Sequence, residues 1–140
     1  NCVAAAHGLV AHLAESAPDL LVLEMGDGLL GTYGVRSLLD DPALRSGLRC
    51  VVLCAQDPVG AWGGVRLLEG RHGLAVDLVC GRVTDTPVGK RFCKEELGLP
   101  AWNALADARE LAAEVIRSLG TALPAAARAE NAPPPAEVSR

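Results

Sequence analysis

Aromatic residues make up only 3% of the 140 residues, and the chain carries no basic patch interleaved with them. Nucleic acid is therefore a poor partner, because such partners need cationic surface and stacking groups together. The net charge of −4 points the same way. No apolar run reaches the roughly 18 residues that a membrane-crossing helix needs, so no membrane is expected. The opening stretch, NCVAAAHGLVAHLAES, has no basic leader and is not expected to be a secretory signal peptide. There is no C-x-x-C among the five cysteines, Cys2, Cys50, Cys54, Cys80 and Cys93. That spacing argues against zinc and for free thiols in a reducing cytoplasm. No G-x-S-x-G elbow or Ser-His-Asp order is visible, so no catalytic residue is assigned. The three histidines, His7, His12 and His72, read as exposed or partly packed side chains.

What is present is small aliphatic residues, half the chain being hydrophobic. Val3, Ala6, Val10, Leu13 and Ala17 recur every three or four positions, which predicts an opening helix. Leu20 to Glu24 is a short continuous apolar run suited to a strand buried on both faces. Val35 to Leu44 predicts a helix interrupted at Asp41-Pro42. Arg49 to Ala55 predicts a second strand. Asp57-Pro58 opens a helix as cap and first-turn proline, running to about Glu69. Gly60, Gly63 and Gly64 within it imply close packing or backbone near a ligand. Val76 to Cys80 predicts a third strand. Thr86-Pro87 opens a helix that stops at Leu97-Gly98. Pro100 to Asn103 predicts a very short fourth strand. Asp107 with Glu110 opens a last amphipathic helix.

This alternation predicts an α/β fold: three layers, with a mostly parallel four-stranded sheet and helices on both faces. Residues 1–120 form one domain in this reading, and the Pro/Ala-rich 121–140 a disordered tail. Ligands of such sheets bind at the carboxyl ends of the strands. The loops 25–34, 55–60, 81–86 and 103–107 are thus expected at one edge, with Glu24, Asp27, Asp57 and Asn103 in one neighbourhood.

The loop after the first run, EMGDGLLG, admits three readings. Gly26-Asp27-Gly28-Leu29-Leu30-Gly31 matches G-x-G-x-x-G after a strand, the pattern of a dinucleotide-binding oxidoreductase. Against it, Asp27 sets negative charge beside phosphates, and Thr32-Tyr33-Gly34 does not continue a helix. Alternatively, Glu24 and Asp27 hold Mg²⁺ directly or through water, while Gly26 and Gly28 make room for a phosphate. In the third reading the glycines only serve tight turns.

LVLEMGDGLL, VVLCAQDPVGAWGGVRLLE and VDLVCGRVTDTPVGKRFCKEELGLPAWNA together resemble the later part of a dethiobiotin-synthetase-like P-loop domain, a relative of the MinD and nitrogenase-iron-protein group. The resemblance covers residues 3–119. It implies a domain that uses ATP and Mg²⁺ to activate a carboxylate or similar small metabolite. Glu24 and Asp27 then serve the metal, and Gly26 and Gly28 the phosphate-bearing group. Gly81 and Asn103 border the base, and Asp57 and Gly60 lie in a substrate or partner loop. The family's G-x-x-x-x-G-K-[ST] loop is missing. GRVTDTPVGK spaces its glycines eight apart and puts Arg91 where Ser or Thr belongs. The chain is therefore expected to be the carboxyl part of a longer protein, or part of a homo-oligomer, and inactive alone. The competing class is a non-catalytic binding or assembly module that docks through the glycine-rich helix.

Overall fold

The computed structural model describes residues 1–122; the expected tail lies, but for its first two positions, outside them. Contacts group the chain into two units, residues 1–48 with 62–75 and residues 49–61 with the part from 76 onward.

In the first unit, helix α1 spans Cys2–Ala14, and the Asn1 side chain accepts the Val3 N–H at 3.0 Å. Val3, Ala6, His7 and Val10 are half-buried on one face, whereas Leu13 and Ala17 of the expected stripe are exposed. Helix α2 (Val35–Asp40) contacts α1, and Val35 and Leu39 are buried. Asp41 then ends it and starts α3 (Pro42–Gly47) by accepting the Leu44 N–H at 2.9 Å. The break falls at Asp41-Pro42 because proline cannot donate to the preceding turn but fits the first turn of a new one. His7 Nε2 lies 3.1 Å from the same Asp41 carboxylate.

The expected strand Leu20–Glu24 does not form. Its backbone is irregular, and Leu20 and Val22 are 50% and 85% exposed. A strand needs a neighbour to answer its N–H and C=O groups. Among the described residues, no strand or bridge pairs with this run.

The second unit holds the sheet. Strands β1 (Val52–Cys54) and β2 (Leu78–Cys80) pair in parallel, with Val52 opposite Leu78 and Cys54 opposite Cys80. Helix α4 (Pro58–His72) lies between them in sequence. Asp57 caps it through the Gly60 N–H at 2.7 Å, as the sequence predicted. The Asp77 carboxylate accepts the Val51 N–H at 2.7 Å, so a side chain extends the ladder just ahead of β2. On the other edge of β2, Val79 donates to Pro100 O and accepts from Trp102 N–H, a single parallel bridge at Ala101. The expected fourth strand, Pro100–Asn103, is reduced to that bridge.

The four-stranded, three-layer sheet is thus corrected, among the described residues, to two strands of three residues each in a mostly helical structure. One run finds no partner, another begins with a proline that cannot donate to a ladder, and β1 and β2 are shorter than their apolar runs. All three residues of β2 are buried, and Leu78 and Val79 are fully so.

Gly81 follows β2 with φ of 87°. A Cβ there would stand 2.7 Å from Ala55 O, so only glycine lets this turn pass the end of β1. A single-turn helix, Arg82–Asp85, leads to Thr86, which caps α5 (Pro87–Glu96) through the Gly89 N–H at 3.1 Å. Gly98 (φ 67°) stands just past it. Helix α6 spans Ala108–Ala122, its first turn anchored where Asp107 O accepts the Leu111 N–H.

Candidate functional site

Glu24 and Asp27 line one open cavity of about 430 Å³ with Met25, Gly26, Tyr33, Val35 and Leu38. The four glycines around them divide into two kinds. At Gly31 a Cβ would run into the Asp27 carboxylate at 1.9 Å, and that carboxylate also accepts the Tyr33 N–H at 3.2 Å. At Gly34 φ is 103° and a Cβ would meet Cys2 Sγ at 2.6 Å. Gly34 is fixed by its backbone conformation, whereas Gly31 is crowded only by the Asp27 side chain. Gly26 and Gly28 have no such reason: φ is not positive at either, and an added Cβ meets nothing within 4 Å. The tight-turn reading therefore accounts for Gly34, and in part for Gly31, and leaves bare backbone beside two carboxylates. Among the described residues no group of three or more His, Cys, Asp or Glu side chains is set to hold a metal. In general a magnesium ion keeps several of its waters and takes only one or two carboxylates from a protein.

The second unit gathers a different set. Parallel pairing places the turns after β1, β2 and Ala101 at the same end of the sheet, so Asp57, Gly81 and Asn103 belong to one rim. Glu24 and Asp27 belong to the other unit. Asn103 is heavily engaged. Its Oδ1 accepts the N–H groups of Leu105 and Ala106, each at 2.9 Å, and its Nδ2 donates to Asp85 at 2.8 Å. Its backbone N–H donates to Asp107, whose carboxylate also pairs with Lys90 Nζ. The Lys90 bond, then the Asn103 N–H, hold the Asp107 carboxyl below its usual range. This network explains Asn103 as the organiser of the turn into α6, and it commits Lys90, the lysine of the phosphate-loop near miss. Gly81 has the steric duty described above, and Gly60 N–H is held by Asp57.

Helix α4 departs from expectation in its glycines. Of the three singled out, Gly60 has only an ordinary contact with Asp57 at 3.5 Å and a Cβ at Gly63 meets nothing within 4 Å, so close packing does not explain those two; Gly70 is open in the same way. On the same helix Val59 is 78% exposed and Trp62 51% exposed, with Arg66 over the Trp62 ring at 5.9 Å.

Two pairs escape the sequence reading. The His72 side chain is fully buried, with Nδ1 2.7 Å from Asp40 and, among the described residues, no partner for Nε2. Nothing in Arg71-His72-Gly73 announces this. Cys54 and Cys80 bring their sulfurs within 3.1 Å. Here a signal did exist: both strand runs, RCVVLCA and VDLVCG, end in cysteine followed by a small residue, and parallel pairing aligns like ends. Burial, then the Cys54 contact, push the Cys80 thiol up to about 12. Burial also raises Cys50 and Cys93.

No protein-family model, curated protein or solved structure matches the chain.

Proposed function

We propose that the chain is part of a nucleotide-dependent enzyme domain that takes Mg²⁺ and ATP and acts on a small metabolite. The observation that carries this reading is the bare backbone at Gly26 and Gly28 beside Glu24 and Asp27. Glycine in a non-glycine conformation costs roughly 0.5–1 kcal/mol against alanine in regular structure. A loop that keeps two of them with no steric reason gains most if a bulky anion comes close. The neighbouring carboxylates repel a naked phosphate, so the anion arrives with its cation, Glu24 and Asp27 holding the ion or its waters. Phosphoryl transfer is largely positioning and charge neutralisation. Lys90 is paired with Asp107 and supplies no phosphate lysine, so this chain binds without turning over.

Calorimetric titration with Mg·ATP tests the proposal. Magnesium-dependent heat is expected from this chain, stronger in any longer parent, and lost in Glu24→Gln. Absence of magnesium-dependent heat from both chains ends the reading. Heat with NAD in the absence of magnesium turns the loop back to the dinucleotide class.

A second reading is a non-catalytic docking module, favoured by the open glycines and exposed Val59 and Trp62 of α4. Gly63→Leu separates the two: it blocks close approach of a partner to α4 and leaves Mg·ATP heat unchanged.

A further inference from the structure

We infer that Cys54 and Cys80 are a redox-active pair that closes to an intramolecular disulfide on reaction with a hydroperoxide and reopens with a thiol reductant.

Cys54 and Cys80 are direct partners at the carboxyl ends of β1 and β2. Neighbouring strands run roughly 4.8 Å apart, inside the window of about 4.4–6.8 Å that a disulfide needs between Cα atoms. Partners in register project to the same side of the sheet, and the two sulfurs already lie 3.1 Å apart. The strand spacing and the sulfur contact thus put the pair within reach of a disulfide. The two thiols also differ in access, Cys54 being exposed and Cys80 buried. One is reachable by a small oxidant, and the other is sheltered and waits beside it.

In the first step Cys54 sulfur, as thiolate, attacks the outer peroxide oxygen. The O–O bond breaks, the leaving oxygen takes a proton to become water or an alcohol, and Cys54 becomes a sulfenic acid. In the second step Cys80 sulfur attacks Cys54 sulfur. The S–S bond forms, the S–O bond breaks, and the hydroxyl leaves with the Cys80 proton as water. The thiol pair loses two electrons and the hydroperoxide gains them. Exchange with a reducing thiol reverses the closure, as is usual for exposed disulfides.

The bond would tie the end of β1 to the residue before Gly81, fixing the roots of the turns that carry Asp57 and Arg82–Asp85. The inference stands independently of the nucleotide reading.

Peptide mapping under non-reducing conditions tests it on the full chain treated with hydrogen peroxide. Trypsin leaves Cys50 and Cys54 in one peptide, so Cys50→Ser is the background. The expected result is residues 50–66 joined to residues 72–82, lost on treatment with a thiol and absent from Cys54→Ser. Cys80→Ala should halt at the sulfenic acid, captured on Cys54 by a cyclic 1,3-diketone. If that variant does not fold, Cys54→Ser gives the second measure, with Cys80 staying reduced at the peroxide dose that closes the parent. Cys54 passing to sulfinic acid with Cys80 reduced, cross-links between chains only, or both thiols intact under excess peroxide would overturn the inference.

Discussion

Residues 20–28 and 49–57 are written alike: an apolar run, a polar end, a loop with an acid. One stays irregular with Val22 at 85% exposure, and the other becomes β1. The difference lies outside both runs. Val51 N–H is answered by Asp77, and β1 meets β2, whose three residues are buried. The run at 20–24 meets no strand among the described residues. An apolar run states a capacity to pair, and the partner decides whether the capacity is used.

The sharpest way to break this contrast is truncation. Leu78→Ala removes a fully buried side chain and should cost about 2–5 kcal/mol. Val22→Ala should stay within about 0.5 kcal/mol. Denaturant unfolding of the two variants checks the pair. Equal costs would mean that the run at 20–24 has a partner after all.

Glycine substitution sharpens the same comparison at smaller size. Gly81→Ala puts a Cβ 2.7 Å from Ala55 O at φ of 87° and should cost about 1–3 kcal/mol. Gly26→Ala and Gly28→Ala should each raise stability slightly, by about 0.4–1 kcal/mol, while weakening Mg·ATP heat. Stability loss at Gly26 or Gly28 would return them to the tight-turn reading. The cap of α5 comes next: Thr86→Ala should cost about 1 kcal/mol, read in the same unfolding experiment.

The smallest effect is with pH. The Asp107 carboxyl is held below its ordinary value of 3.8 by Lys90 and the Asn103 N–H. Its contribution is complete above that value and is lost as pH falls through the folded one. Asp107→Asn should therefore flatten the stability profile below about pH 4, where the parent's falls more steeply. Parallel profiles would show that the carboxylate does no more than its amide.

Much of the local structure was legible because it is chosen by neighbouring residues. The caps at Asp57 and Thr86, the break at Asp41-Pro42 and the stop at Gly98 follow from side chains and prolines within a few positions. The two strands that form and their parallel sense were legible, but the extent of the sheet was not, because pairing is settled by residues far apart. Asp77 answering Val51 leaves no mark in either segment's composition, and nothing at 100–103 says that the expected strand stops at one bridge to Val79. The candidate loop was half legible. Acids and glycines at 24–34 could be seen, but only the fold separates Gly34, whose positive φ calls for glycine, and Gly31, crowded by the Asp27 side chain, from Gly26 and Gly28, which have neither reason. The burial of His72 left no trace at all.

The two indoles turn these differences into something an optical instrument can follow. Trp62 stands half exposed on α4, whereas the Trp102 ring nitrogen is sealed from solvent beside the bridge at Ala101. Dissolved iodide should therefore dim the first more than the second. With one tryptophan replaced by phenylalanine at a time, the remaining emission colour reports separately on the helix and on the sheet margin as the chain is warmed or exposed to peroxide.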